Sequence, residues 1–164
     1  MTEKIIIVDK HDNIIGAKER ADIDYSKDIY RVSALWITNS EGKILLVKRA
    51  LTKKQDPGKW GPAVAGTIEE RESYESNIIK EAEEELGLKD IKPTKWFLSS
   101  TLGKKYQHFT QWFKLKIDKP LSYFKSSKEE VAEINWFDEE DIYKLSGDEV
   151  LDSVKEMINL GERK

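Results

Sequence analysis

Residues 66–88 read GTIEERESYESNIIKEAEEELGL, and the period of that stretch decides what the chain around it can be. Ile78, Ile79, Ala82 and Leu86 recur at helical spacing, which predicts a helix beginning near Ser73, with Gly87 supplying the stop. Glu81, Glu84 and Glu85 stand at i, i+3 and i+4, so they share one face of that helix. The pattern predicts that the apolar stripe docks the helix while the acids look outward. Carboxylates stacked at this spacing repel by some tenths of a kcal/mol per pair, and a divalent cation turns that repulsion into a binding site. Hard oxygen ligands of this kind suit Mg²⁺, with Mn²⁺ able to substitute. Glutamate is also a good helix former, and an acidic run by itself reads as a solvated face.

Outward from this helix the pattern is that of strands. Residues 5–8 and 14–17 flank the polar turn Lys10-His11-Asp12-Asn13, which predicts an N-terminal β-hairpin within residues 1–28. Residues 31–39 (RVSALWITN) and 43–48 (KILLVK) flank Ser40-Glu41-Gly42 and read as central strands. A basic loop follows over 50–61, then a short apolar run, 63–65, that leads to Gly66. Beyond the helix, residues 96–100, 108–117 and 133–137 read as strands, followed by a helix near 139–145 and an amphipathic one within 147–161. Of the neighbouring aromatics Trp112 and Phe113, one is expected in the core and the other against a pocket. The expected class is α/β (α+β): one domain over 1–164, a mixed sheet with helices packed against it.

Composition narrows the function. The 164 residues are 38% hydrophobic and 36% charged, with 28 basic and 31 acidic side chains, so no nucleic-acid polymer is expected as partner. The chain has no cysteine, which excludes disulfides, thiolate metal sites and a cysteine nucleophile. The apolar run at residues 5–8 is too short and too charged at its flank for a signal peptide, and nothing approaches a membrane span. No membrane partner and a cytoplasmic location are expected. A homodimer, with the N-terminal hairpin pairing between subunits, is one arrangement left open.

Gly66, five residues, Glu72, seven residues, Lys80-Glu81-Ala82, one residue, Glu84-Glu85, one residue, Gly87-Leu88 resembles the Nudix box over all 23 positions. The one departure is Lys80, where the family usually has arginine. The resemblance implies a mixed sheet sandwiched between helices, and hydrolysis of the diphosphate linkage in a nucleoside diphosphate derivative or related organic diphosphate. By the same resemblance Glu81, Glu84 and Glu85 are metal ligands, with Glu81 or Glu84 acting on the attacking water. Gly66, Glu72 and Lys80 form the brace that holds the helix. Lysine keeps the charge of the brace but loses the bidentate fork. A further acid from a later loop is expected, with Glu130 the candidate and Glu129 and Glu133 its competitors.

Residues 40–60, SEGKILLVKRALTKKQDPGKW, resemble the isopentenyl diphosphate isomerase branch of the same superfamily. The resemblance assigns Arg49 and Lys53 to the substrate diphosphate, and two cations on a loop are physically suited to that role. Trp60 on the same loop is a candidate to stack on a substrate, or equally to pack. The isomerase's own machinery is missing: Ala65 stands in place of its cysteine, Thr67 in place of a histidine ligand, and Ile29, Tyr30 and Arg31 where further histidines belong. The two histidines present, His11 and His108, read as structural. Three readings result. The leading one is a metal-dependent hydrolase of a small-molecule diphosphate. The second is a catalytically idle Nudix domain that binds a nucleotide and regulates, and the third, weakened by the missing cysteine, is an isomerase.

Overall fold

Strand β3 (Ile29–Thr38) is the ten-residue strand on which the fold of this computed structural model is organised; the structure describes residues 3–162. One edge of β3 pairs in parallel with β8 (His108–Lys116), from Tyr30↔His108 to Thr38↔Lys116. Its other edge is shared by three antiparallel partners in succession. First comes β1 (Lys4–Val8) at Tyr30, then β6 (Val64–Thr67) along 32–35, and last β4 (Ile44–Arg49) at Ile37 and Thr38. β2 (Ile14–Glu19) extends the sheet beyond β1, and β7 (Thr94–Ser100) beyond β8. β4 in turn carries β5 (Trp60–Pro62) and β9 (Val131–Phe137), making nine strands in a mixed sheet.

Alternation along β3 sends side chains to two cores. Leu35 and Ile37 meet Leu45, Val47, Val64 and Phe113 beneath α1 (Tyr74–Leu86), whose Ile78, Ala82 and Leu86 are fully buried there. Burying each of Ile78 and Leu86 contributes about 1.5–3 kcal/mol relative to exposure. Ala34 and Trp36 point the other way, to Ile44, Leu46 and Trp112 beneath α2 (Glu139–Tyr143) and α3 (Asp152–Glu162), which supply Ile142, Val154, Met157 and Ile158. The sheet therefore lies between helical layers, as the class expectation has it.

Four local readings change. Trp60 and its two successors are not loop but strand β5, which backs onto β4 through Lys48↔Trp60 and Leu46↔Pro62. The last helix starts at Asp152, because 147–149 form a turn, Val150 bridges to Trp60, and Glu149 and Leu151 are engaged in backbone hydrogen bonds with Trp60. Trp112 and Phe113 are both buried in the core, one in each layer. The N-terminal hairpin forms, but β1 uses both of its edges within the chain, on β2 and β3, so among the described residues of the hairpin it is the outer edge of β2 that has no strand partner. Of the two histidines, His11 lies in the hairpin turn, and His108 packs against the ring of Tyr30, where burial pushes its imidazole down to about 4.

Candidate metal and diphosphate site

The glutamate helix is held at both ends by its own sequence. Ser73 caps it, accepting from the Ser76 N–H, and the Ser76 hydroxyl accepts from the Ser73 N–H at 2.9 Å, a reciprocal capping box. At the other end Gly87 adopts φ 68°, and the N–H groups of Gly87 and Leu88 donate to Glu83 and Ala82 carbonyls at 2.9 and 3.2 Å. The next carbonyls, of Glu85 and Leu86, accept from Ser127 and Lys125 at 3.0 Å each, which ties the segment leading to Glu130 onto the end of the helix. On the strand side Gly66 faces Ser33 across β6–β3, directly beneath Glu81. A Cβ at Gly66 would lie 2.4 Å from Glu81 Cγ and 2.8 Å from Asn77 Oδ1, so only glycine admits this approach.

The acids do not all look outward. Glu84 is exposed and Glu81 half-buried, but Glu85 keeps only 9% of its surface, and its Oε2 has no protein partner. Ile78 and Glu85 are seven residues apart, two helical turns, so docking the apolar stripe carries Glu85 inward with it. Burial raises the Glu85 carboxyl well above the usual carboxylate range, and the charges of Glu81 and Glu130 push it the same way. Burial and the charge of Glu84 raise Glu81 as well. The charge of Glu81 acts on Glu85, and two carboxyls so close share a proton more readily than both ionise. Among the described residues no three His, Cys, Asp or Glu side chains are gathered ready to hold a metal ion. What the site offers a cation is this pair, one member buried with an orphaned oxygen, with Glu84 and Glu130 close enough to be felt electrostatically. A divalent ion fits that donor set, since it would replace the shared proton and relieve the repulsion.

The brace is more elaborate than the sequence pattern suggests. Lys80 Nζ lies 2.7 Å from Glu72 Oε2, 3.4 Å from Glu69 Oε2 and 3.7 Å from Glu81 Oε1. Partial burial opposes the charge of Lys80, but the hydrogen bond and charge of Glu72, with Glu81 and Glu84, hold its pKa above the usual value. The second oxygen of Glu72 accepts from the Glu69 N–H at 2.8 Å and from Asn77 Nδ2 at 3.1 Å, and Asn77 also donates to the Thr67 carbonyl. Glu69 and Asn77 are thus members that the sequence reading missed. An asparagine past the N-cap and inside the helix, where its propensity is poor, was the available signal for one of them.

Of the remaining candidates, Lys53 forms a close ion pair with Glu130, and its charge is felt at Glu85. Glu129 and Glu133 are exposed, and neither is among the groups that perturb Glu85. Arg49 Nε donates to the Gln55 carbonyl at 2.9 Å, which shapes the 50–58 loop around it. Trp60 is not brought to the site: its ring packs edge-on to Phe137 at 4.8 Å, in the core beneath α2 and α3. Ala65 and Thr67 lie on β6 on either side of Gly66.

A NUDIX-domain family model matches residues 28–156. The chain belongs to the Nudix family. An isopentenyl-diphosphate Delta-isomerase from Photorhabdus laumondii is 34% identical over 87 residues, covering 53% of this chain and 49% of that protein. A prenyl-diphosphate phosphatase from Methanosarcina mazei is 38% identical over 81 residues, 49% of this chain and 47% of that protein. The chain spans about half the length of the curated relatives it matches and, as a Nudix domain, shares its fold with solved structures. A Deinococcus radiodurans protein superposes with TM-score 0.72 at 22% identity, covering 85% of this chain and 86% of that one. The Nudix domain of Shewanella oneidensis NrtR, crystallised with ADP ribose, has TM-score 0.67 at 16% identity, covering 87% and 94%. Both likenesses concern the fold alone. The matched region starts at residue 28, so β1 and β2 precede it.

Proposed function

We propose that this Nudix chain is a divalent-metal-dependent hydrolase that cleaves the diphosphate linkage of a small organic diphosphate. The observation that carries the reading is the Glu81–Glu85 pair. Two carboxylates are held together on a capped and braced helix, one of them buried with an unpartnered oxygen, a costly arrangement that a bound cation relieves. Mg²⁺ is the expected ion and Mn²⁺ its substitute; when bound, it neutralises phosphate charge and lowers the pKa of a bound water. Glu81, Glu84 and Glu85 are its proposed ligands from the helix, and Glu130 is the proposed distal one. Glu81, half-buried and raised in pKa, is suited to accept the proton of the water that attacks phosphorus. Arg49 and Lys53 are the proposed cations for the diphosphate, and Lys53 would exchange Glu130 for a phosphate oxygen.

The relatives support a substrate class as well. One bears the name prenyl-diphosphate phosphatase and others are isopentenyl-diphosphate isomerases, so isoprenoid diphosphates belong in the proposal beside nucleoside diphosphate derivatives. Isomerase chemistry itself is disfavoured by Ala65 and by a chain without cysteine. The test is a hydrolysis panel of nucleoside di- and triphosphates, nucleotide sugars, dinucleoside polyphosphates and isoprenoid diphosphates, each with Mg²⁺, Mn²⁺ or EDTA. Turnover of one group that needs metal and disappears in the Glu84→Gln/Glu85→Gln variant is expected. Silence across the panel alongside tight nucleotide binding would replace this reading with a non-catalytic regulatory domain.

A further inference from the structure

The N-terminal hairpin lies before the segment that matches the family, yet it is bonded to the loop and helix that carry the glutamates. Strand β1 runs beside residues 68–70: Ile6 N–H donates to the Ile68 carbonyl at 3.2 Å, and Glu70 N–H donates to the Lys4 carbonyl at 2.7 Å. Ile68 is fully buried in a small core of its own with Ile6, Val8 and Phe109, against which Ile29 and Tyr74 pack. The loop between Gly66 and α1 is thereby pinned by the first strand of the chain. The hairpin turn reaches further, to the helix itself.

Asp12, in that turn, holds the left-handed φ of 64° that places its carboxylate over α1. Tyr74, the first residue of α1, donates its hydroxyl to Asp12 Oδ2 at 3.0 Å. Arg31 of β3 donates from Nε to Asp12 Oδ1 and from a terminal guanidinium nitrogen to the Asp12 carbonyl, both at 2.7 Å, while its guanidinium carbon lies 5.1 Å from the Tyr74 ring centroid. Ser33 donates to the Tyr74 carbonyl at 2.7 Å. The three side chains are largely buried, so the cluster is shielded from the screening that weakens exposed ion pairs.

We propose that the hairpin is a positioning device for the glutamate helix: Asp12, through Tyr74 and Arg31, fixes where α1 begins and so the angle at which Glu81 and Glu85 present themselves. The consequence for metal binding rests on the hydrolase reading above; the mechanical claim does not. A helix is stiff, so loosening its first turn and the loop before it relaxes the placement of Glu81, which lies seven residues, two turns, further on. A side chain that supports a ligand from behind typically changes metal affinity about 10–100-fold.

The test compares wild type with Tyr74→Phe, which deletes one hydroxyl, and Asp12→Asn, which deletes one charge. Two quantities are measured: amide hydrogen exchange across the metal-free protein, and Mn²⁺ affinity by calorimetric titration. Faster exchange confined to residues 68–76, with β7 and β8 unchanged and Mn²⁺ bound about 10-fold more weakly, is the expected result. Exchange unchanged at 68–76, or accelerated everywhere alike, overturns the proposal, as does a local loosening that leaves Mn²⁺ affinity intact. If wild type binds no Mn²⁺, the metal reading fails, and the exchange pattern alone decides whether the hairpin holds the helix.

Discussion

Burying a carboxylate is unfavourable, and Glu85 combines 9% exposure with an unpartnered oxygen and the charge of a second glutamate acting on it. Its raised pKa means that the folded protein holds a proton there more tightly than the unfolded chain does. The stabilising contribution is complete below the unfolded carboxyl value of about 4.3 and is lost as pH rises through the raised folded value. Asp9, Asp24, Asp118 and Glu149 act with the opposite sign, because hydrogen bonds from Asn13, Ser26, Ser40 and Ser146 hold them low; their contribution is lost as pH falls. They are common to wild type and to Glu85→Gln, so the difference between the two proteins isolates the Glu81–Glu85 pair. In metal-free buffer Glu85→Gln is expected to gain thermal stability over wild type as pH rises above the unfolded carboxyl value of about 4.3. Saturating Mn²⁺ should reverse that order. Parallel Tm–pH curves for the two proteins would show that Glu85 is not the strained group.

At the level of elements, α1 and β6 are packed with no room for a methyl group between them. Gly66 has no positive φ to explain it; its requirement is the 2.4 Å approach to Glu81 Cγ. Gly66→Ala is therefore expected to lose about 1–3 kcal/mol in a urea titration, as an overpacked core does, in spite of the small gain from restricting the unfolded chain. An unchanged midpoint would mean that helix and strand separate freely. The helix itself was legible in the sequence, from Ser73 to Gly87, because its cap, its stop and its apolar period all lie within one short stretch. The start of α3 was not. Residues 149–151 continue the apolar pattern, but backbone pairing with Trp60, ninety positions earlier, takes their hydrogen bonds, and no local period reports such a partner. The same pairing accounts for strand β5 and for the inward turn of Trp60.

For the whole molecule, a ligand that binds the folded state alone stabilises it by mass action. At one hundred times its Kd a divalent ion adds about 2.7 kcal/mol, roughly 5–10 °C in Tm for a chain of this size. Wild type is expected to show that increase with Mn²⁺ in a thermal scan, and the Glu84→Gln/Glu85→Gln variant to lose it. Equal shifts in both would place the ion elsewhere. Sequence alone determined the family box, the helix that carries it, the acids at i, i+3 and i+4, the hairpins and the central strands. All of these are set by short-range spacing and by residue type. Only the tertiary structure decided that Glu85 is buried while Glu84 is not, that Lys53 meets Glu130, that Asn77 shares the Glu72 carboxylate, and that Asp12 reaches Tyr74 across 62 positions. Those outcomes depend on which face of a helix the sheet accepts and on which distant backbone comes to rest beside it, and neither is encoded in the period of a single segment.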